Sequence, residues 1–241
     1  MFTPNFLILI AVTVALGGAA QFYIKRTFKR YSNVRPVGGL TGAQVAERIL
    51  QANGIAASMT ETGASATGTS RTSVVVRAVD GDLTDHYDPR KNVVGLSKPV
   101  YGVSSISANA VAAHEVGHAM QTAERYVWGE IRSAIVPVVN FGSSLSWILI
   151  LVGIILNMLQ LFWLGIIFYS FAIVFQIVTL PVEFNASSRA LAQLQTSGIL
   201  TSAELPGARR VLNAAALTYV AAALVSVLYL LYYIGLGRSS S

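Results

Sequence analysis

Residues 133–182 contain no Asp, Glu, Lys, Arg or His. No other feature constrains the chain as strongly, because so long an apolar run must be covered by something other than water. A helix of about 20 predominantly apolar residues crosses the hydrocarbon core of a bilayer. The block is therefore too long for one span and suited to two, divided by the turn-like Asn157-Met158-Leu159-Gln160 into 133–156 and 161–182. Two further runs complete the set: 5–24, which stops at Lys25-Arg26, and 213–236, which follows Arg210 and ends before Arg238. Composition agrees. Charged residues make up 12% of the chain and hydrophobic residues 54%, against about 25% charged in a typical soluble domain. A disordered chain is excluded, and an integral membrane protein with four transmembrane helices is expected.

The formal charge of +6 comes from 17 Lys and Arg against 11 Asp and Glu. On a membrane protein such an excess records topology rather than nucleic-acid binding, and no nucleic-acid partner is expected. Lys25, Arg26, Lys29 and Arg30 follow the first apolar run, which lacks the basic leading segment of a signal peptide. The first span thus reads as an uncleaved anchor with its N-terminus outside. Counting crossings then places residues 25–132 in the cytoplasm, the turn at 157–160 outside, and the segment 183–212, with Arg189, Arg209 and Arg210, inside again. The chain has no Cys, which removes disulfides, thiolate metal sites and a cysteine nucleophile.

Only residues 25–132 have soluble-domain composition. Thr41 reads as the N-cap of a helix carried by Val45, Ala46, Ile49 and Leu50 and stopped by Asn53-Gly54. Residues 61–73, rich in Gly, Ala, Ser and Thr, read as a flexible loop or a family-specific insertion. Strands are expected at Val74-Val75-Val76 with Val79, at 83–88 and at 92–96, the last two flanking the turn Asp88-Pro89-Arg90-Lys91. A small sheet, or no more than a hairpin, should result. Strand 92–96 is the expected edge for an extended peptide.

Val111 to Thr122 reads VAAHEVGHAMQT, in which His114-Glu115-Val116-Gly117-His118 matches H-E-x-x-H. Residues four apart share a helix face, so both imidazoles can reach one metal ion while Glu115 acts as general base toward the water that the metal activates. With three His and seven Glu in the chain, the pattern would arise by chance on the order of once in a thousand such sequences. Ser107 to Ala113 supplies a helix start with small residues. A catalytic zinc site wants three protein ligands, and without Cys the third is His86 or a carboxylate. Between His118 and Glu183 the expected topology makes two crossings, which returns Glu183 to the face of the motif. A carboxylate at the membrane exit, directly after Leu180-Pro181-Val182, is costly unless paired or metal-bound. Glu183 is the expected third ligand.

The order of H-E-x-x-H, a two-helix hairpin and then Glu183-Phe184-Asn185-Ala186 resembles membrane gluzincins of the HtpX and CaaX-endopeptidase types. The closer likeness is to the YugP-like neutral zinc metallopeptidases, a bacterial membrane family. It rests on TGAQVAERILQANGI (41–55), LTDHYDPR (83–90), VAAHEVGHAMQ (111–121), LPVEFNASSRAL (180–191) and LNAAALTYVAAAL (212–224), and spans nearly the whole chain apart from the loop around 61–73. The resemblance implies that His114, His118 and Glu183 bind zinc, one ion per chain, with Glu115 as the catalytic carboxylate. It also implies a multi-pass protein of a bacterial cytoplasmic membrane. The expected fold class is accordingly mainly α, with a small cytoplasmic α+β zincin-like domain. Related gluzincins often carry Asp two or three residues after the ligand Glu, orienting a histidine. Here Asn185 and Ala186 hold those positions, and an uncharged Asn185 would raise ligand basicity less.

His86 and Arg189 are further candidates. His86, in Asp85-His86-Tyr87-Asp88-Pro89, reads either as an oxyanion donor or as part of a structural turn. Arg189 could support an oxyanion, pair with Glu115 or Asp88, or be a surface residue obeying the positive-inside rule. Asn109 reads as a buttress or as the start of the motif helix, and Glu124 and Arg125 as its solvated end. The expected reaction is peptide-bond hydrolysis at the cytoplasmic membrane face, with polypeptides, membrane proteins among them, as substrates. The competing readings are a catalytically silent zinc-binding scaffold and a transporter. Spans with no ionisable side chain except tyrosines oppose the transporter. Gly142, Ser143, Ser144 and Ser146 would permit close helix contact within or between chains, which allows a homo-oligomer without indicating one.

Overall fold

The computed structural model describes residues 4–60 and 72–239. Its elements, in chain order, are α1 (Pro4–Ser32), α2 (Gly42–Ala52), β1 (Ala56–Thr60), β2 (Ser73–Val79), β3 (His86–Asp88), β4 (Val93–Ser97), α3 (Lys98–Tyr101), α4 (Ile106–Ala123), α5 (Val127–Ile155), α6 (Leu159–Thr196) and α7 (Leu205–Ser239). The chain is mainly helical, and α1, α5, α6 and α7 are long and apolar enough to cross a membrane. It divides into a helical unit (residues 4–22, 130–181 and 217–239) and a second unit made of Tyr23–Gly129 and Val182–Ala216.

In the helical unit, α5 and α6 form a hairpin. Its turn places Asn157 in the left-handed region (φ 52°), which Asn tolerates better than most residues. Two glycines set the closeness of the pair. A Cβ on Gly153 would lie 2.6 Å from the Phe162 backbone nitrogen, and one on Gly165 would lie 2.7 Å from Ile150. The tightest approach is therefore at Gly153 and Gly165, beyond the small-residue cluster at 142–146. Large apolar side chains such as Leu7, Phe141, Trp147 and Ile177 stay exposed, as suits helices whose surroundings are lipid.

The second unit is built on a four-stranded sheet in the order β1-β2-β4-β3. β1 and β4 both run parallel to β2, and β3 pairs antiparallel with β4. This is more than a hairpin. β1, AASMT, carries no alternation that would announce a strand. β4 is buried along its whole length and paired on both sides, so residues 92–96 do not form an edge. The continuous apolar run Val93-Val94 is what a central strand needs; the outer strands are β1 and β3. β3 begins at His86 and not at Leu83, because Leu83 has φ 56° and Asp85 turns its carboxylate to the Ser97 N–H (2.7 Å) and hydroxyl (3.0 Å). Most of the expected loop at 61–73 lies outside the described residues, and Ser73 opens β2.

Helix α2 starts where Thr41 accepts from the Gln44 N–H and the Gln44 side chain accepts from the Thr41 N–H, a reciprocal capping box. Its apolar face, Val45, Ala46, Ile49 and Leu50, packs into one core with Val74, Val76, Val94, Leu96 and α4. Helix α6 runs without a break through Glu183 to Thr196. The carboxylate is thereby carried on a rigid element.

Candidate metal centre

Helix α4 is capped by Ser105, whose hydroxyl accepts from the Ala108 N–H at 3.1 Å. Its body is made of small residues: Ala108, Ala110, Ala112 and Ala119 are fully buried. Buried Asn109 faces the carbonyls of Leu40 (3.0 Å) and Ser105 (3.3 Å), with its amide nitrogen turned to donate to both. It buttresses the helix and stands apart from the polar cluster. Gly117, inside the motif, is where α6 passes: a Cβ there would lie 2.7 Å from the Ala186 carbonyl oxygen. That near-contact of backbones brings Glu183, three residues before Ala186, against both motif histidines.

Glu183 Oε2 lies 3.3 Å from His114 Nε2 and 3.5 Å from His118 Nε2. The three ligand atoms all fall within 4.8 Å of one another, and Glu183 is buried (2% exposed). Two imidazole nitrogens and one carboxylate are a donor set of the kind that catalytic zinc sites use. The far ring nitrogens are occupied as such a site requires: His114 Nδ1 lies 3.2 Å from Ser187 Oγ, and His118 Nδ1 lies 3.0 Å from Gln121 Oε1. The residues present fit the metal.

Glu115, beside the first histidine in sequence, is 8% exposed. Burial pushes its carboxyl above the ordinary range, Asp85 and Glu183 add to the shift, and the charges of His114 and His118 oppose it. Asp85 is raised by burial as well, against its hydrogen bonds from Ser97.

His86 is not part of this cluster. Its Nδ1 lies 2.8 Å from the Thr84 carbonyl, and its ring crosses Gly95, where a Cβ would meet His86 Cε1 at 2.7 Å. The rest of its segment is engaged in the turn. Tyr87 donates to Asn92 Oδ1 (2.8 Å), and Asp88 accepts from the N–H groups of Arg90 (2.9 Å) and Lys91 (3.3 Å). Arg189 pairs with Glu124 (2.7 Å), not with Glu115 or Asp88. It also donates to Asn185 Oδ1 (2.7 Å) and stacks over Tyr126. The hydrogen bond from Arg189 holds the Glu124 carboxyl below the usual range, with a smaller opposing contribution from burial.

Asn185, expected to stand in for an orienting Asp, contacts neither ring. It accepts from Gln121 Nε2 (2.9 Å) and Arg189 instead. Gln121 and Ser187, the residues that do meet the histidines, were missed by sequence reasoning. Helical spacing was the available signal, since Gln121 is one turn past His118 and Ser187 one turn past Glu183.

A membrane-spanning fold with a His-His-Glu cluster defines a candidate membrane metalloenzyme. Residues 6–238 match the family described as "Putative neutral zinc metallopeptidase", and the chain belongs to that family. It is 47% identical over 229 residues, covering 95% of each chain, to the "Putative membrane protease YugP" of Bacillus subtilis (strain 168). No solved structure matches it.

Proposed function

We propose that the chain is a membrane-embedded zinc metalloendopeptidase of the gluzincin type, with one zinc ion held by His114, His118 and Glu183. The convergence of these three side chains, with buried Glu115 beside them, carries this reading. Bound zinc would polarise the scissile carbonyl as a Lewis acid and lower the pKa of water to about 7. Glu115 then takes a proton from the attacking water and passes it to the leaving amine. Its burial keeps that proton from bulk water between the two transfers.

An extended substrate would lie along β3, the outer strand packed beside α4, in the manner of strand addition. His86, on that strand, is placed to meet a bound peptide. The basic residues that follow α1's apolar run support a site on the cytoplasmic side of a bacterial plasma membrane, with the N-terminus outside. Substrates would be polypeptides reaching the bilayer surface, membrane proteins among them.

The test is zinc content and peptide turnover of the detergent-purified protein. Wild type should hold about one zinc per chain, the expectation for three-ligand catalytic sites. Glu183→Ala should lose most of it, and Glu115→Gln should keep its zinc but lose turnover by at least about 100-fold. Turnover unchanged in a zinc-loaded Glu115→Gln protein would refute the mechanism and leave a zinc-binding scaffold.

A further inference from the structure

The hydrogen bonds around His118 have a direction that can be traced from groups whose roles are fixed. An Arg side chain can only donate, so the Asn185 atom facing Arg189 Nε at 2.7 Å is the carbonyl oxygen. The Gln121 atom 2.9 Å from that oxygen must then be its amide nitrogen. The backbone carbonyl of Val182 requires the same orientation independently, because it can only accept and lies 2.8 Å from Gln121 Nε2. With both amide hydrogens spent, Gln121 offers His118 only Oε1, at 3.0 Å. His118 Nδ1 must therefore carry a proton, and in the neutral ring that binds a metal it is Nε2, which faces Glu183, that keeps its lone pair.

We infer that Gln121 is a positioning residue that commits His118 to coordination through Nε2, with Arg189 and Asn185 locking the Gln121 amide. Resting on the zinc reading above, the inference gives a role to three residues that touch neither the reacting atoms nor the ligand carboxylate. The lock has two anchors of different strength. Val182 is backbone and cannot be removed by a side-chain change, so loss of Arg189 relaxes the arrangement only in part. Loss of the Gln121 acceptor removes it outright. Partners of this kind around metal-binding histidines are worth about 10–100-fold in metal affinity.

The experiment uses the full chain in bilayers, labelled with 15N-histidine. The three histidines make its ring-nitrogen spectrum assignable with His86→Gln and His114→Gln controls. Zinc-loaded wild type should show His118 coordinated through Nε2 with a protonated Nδ1. Gln121→Leu, which stays close in size and offers no acceptor, should lose zinc affinity about 10–100-fold in competition with a chelator, and Gln121→Met, whose thioether accepts only weakly, should follow it. Asn185→Asp, which still accepts from both Arg189 and Gln121, should stay within about threefold of wild type, and Asn185→Leu should fall between Asp and Gln121→Leu. Coordination through Nδ1, or Gln121→Leu binding zinc as wild type does, would overturn the inference while leaving the peptidase reading intact. A wild type that binds no zinc would overturn both.

Discussion

Gly117 shows how one missing side chain sets a reaction centre. Within H-E-V-G-H, the two histidines supply chemistry, but the glycine supplies distance. An added methyl would sit 2.7 Å from the Ala186 carbonyl oxygen, and a backbone oxygen on a helix cannot swing aside as a flexible side chain could. Gly117→Ala should therefore force α4 and α6 apart, costing about 1–3 kcal/mol as overpacking does in a close-packed core. Because Glu183 and both histidines straddle that crossing, zinc affinity should fall together with the thermal midpoint. A variant with an unchanged midpoint and unchanged zinc binding would show that the helices have room to spare at this point. The two clustered histidines were legible in the sequence because H-E-x-x-H compresses them into five positions. Gln121 and Ser187 carried only the weaker signal of helical spacing, which does not say that a polar neighbour turns toward an imidazole; Gln121 is oriented by Val182 and Asn185 of α6, and Ser187 reaches His114 from α6.

At the scale of elements, local chemistry announced what it controls. Thr41 and Gln44 signalled α2 because a capping box is a property of four consecutive residues. β4 was recognisable as a strand but not as a central one, because its neighbours β2 and β3 are chosen by tertiary pairing. β1 needed β2 as a template, since AASMT has neither alternation nor β-branched density. The start of α7 is likewise set from a distance. Glu204 accepts from the Thr201 N–H and hydroxyl (both 2.8 Å) and from the N–H of Val37 (2.7 Å), tying the segment after α1 to the turn before α7. Burial raises its carboxyl, but these hydrogen bonds outweigh it and hold it below the usual carboxylate range. A depressed folded pKa means stability that is present above the unfolded value and lost as pH falls through the folded one. Glu204→Gln should thus cost about 1 kcal/mol near neutral pH, and the gap to wild type should close as pH falls from the unfolded carboxylate value through the lower folded one. Denaturant titrations across that range would read it, and a gap independent of pH would mean that the charge contributes nothing.

For the whole molecule, orientation in the bilayer decides which compartment meets the metal centre. In the proposed topology all four apolar helices cross, so that both ends of the chain would share one side and residues 25–132 and 183–212 would face the other. Basic residues choose between the two possibilities. Lys25, Arg26, Lys29 and Arg30 follow the first span and Arg209 and Arg210 precede the last, whereas the turn at 157–160 between α5 and α6 carries no charge at all. The positive-inside rule favours the proposed arrangement, with the turn outside and the candidate metal centre in the cytoplasm. Because the chain has no Cys, a single introduced thiol reports position without background. Met158→Cys, at the exposed α5–α6 turn, should react with a membrane-impermeant maleimide on intact cells. Arg90→Cys, at the exposed turn between β3 and β4, should react only after the membrane is opened. The reverse pattern would invert the topology and place the peptidase site outside the cell, where its substrates would have to be secreted or surface polypeptides. Labelling of both positions on intact cells would break the four-span count itself, because an odd number of crossings between 90 and 158 is what separates them.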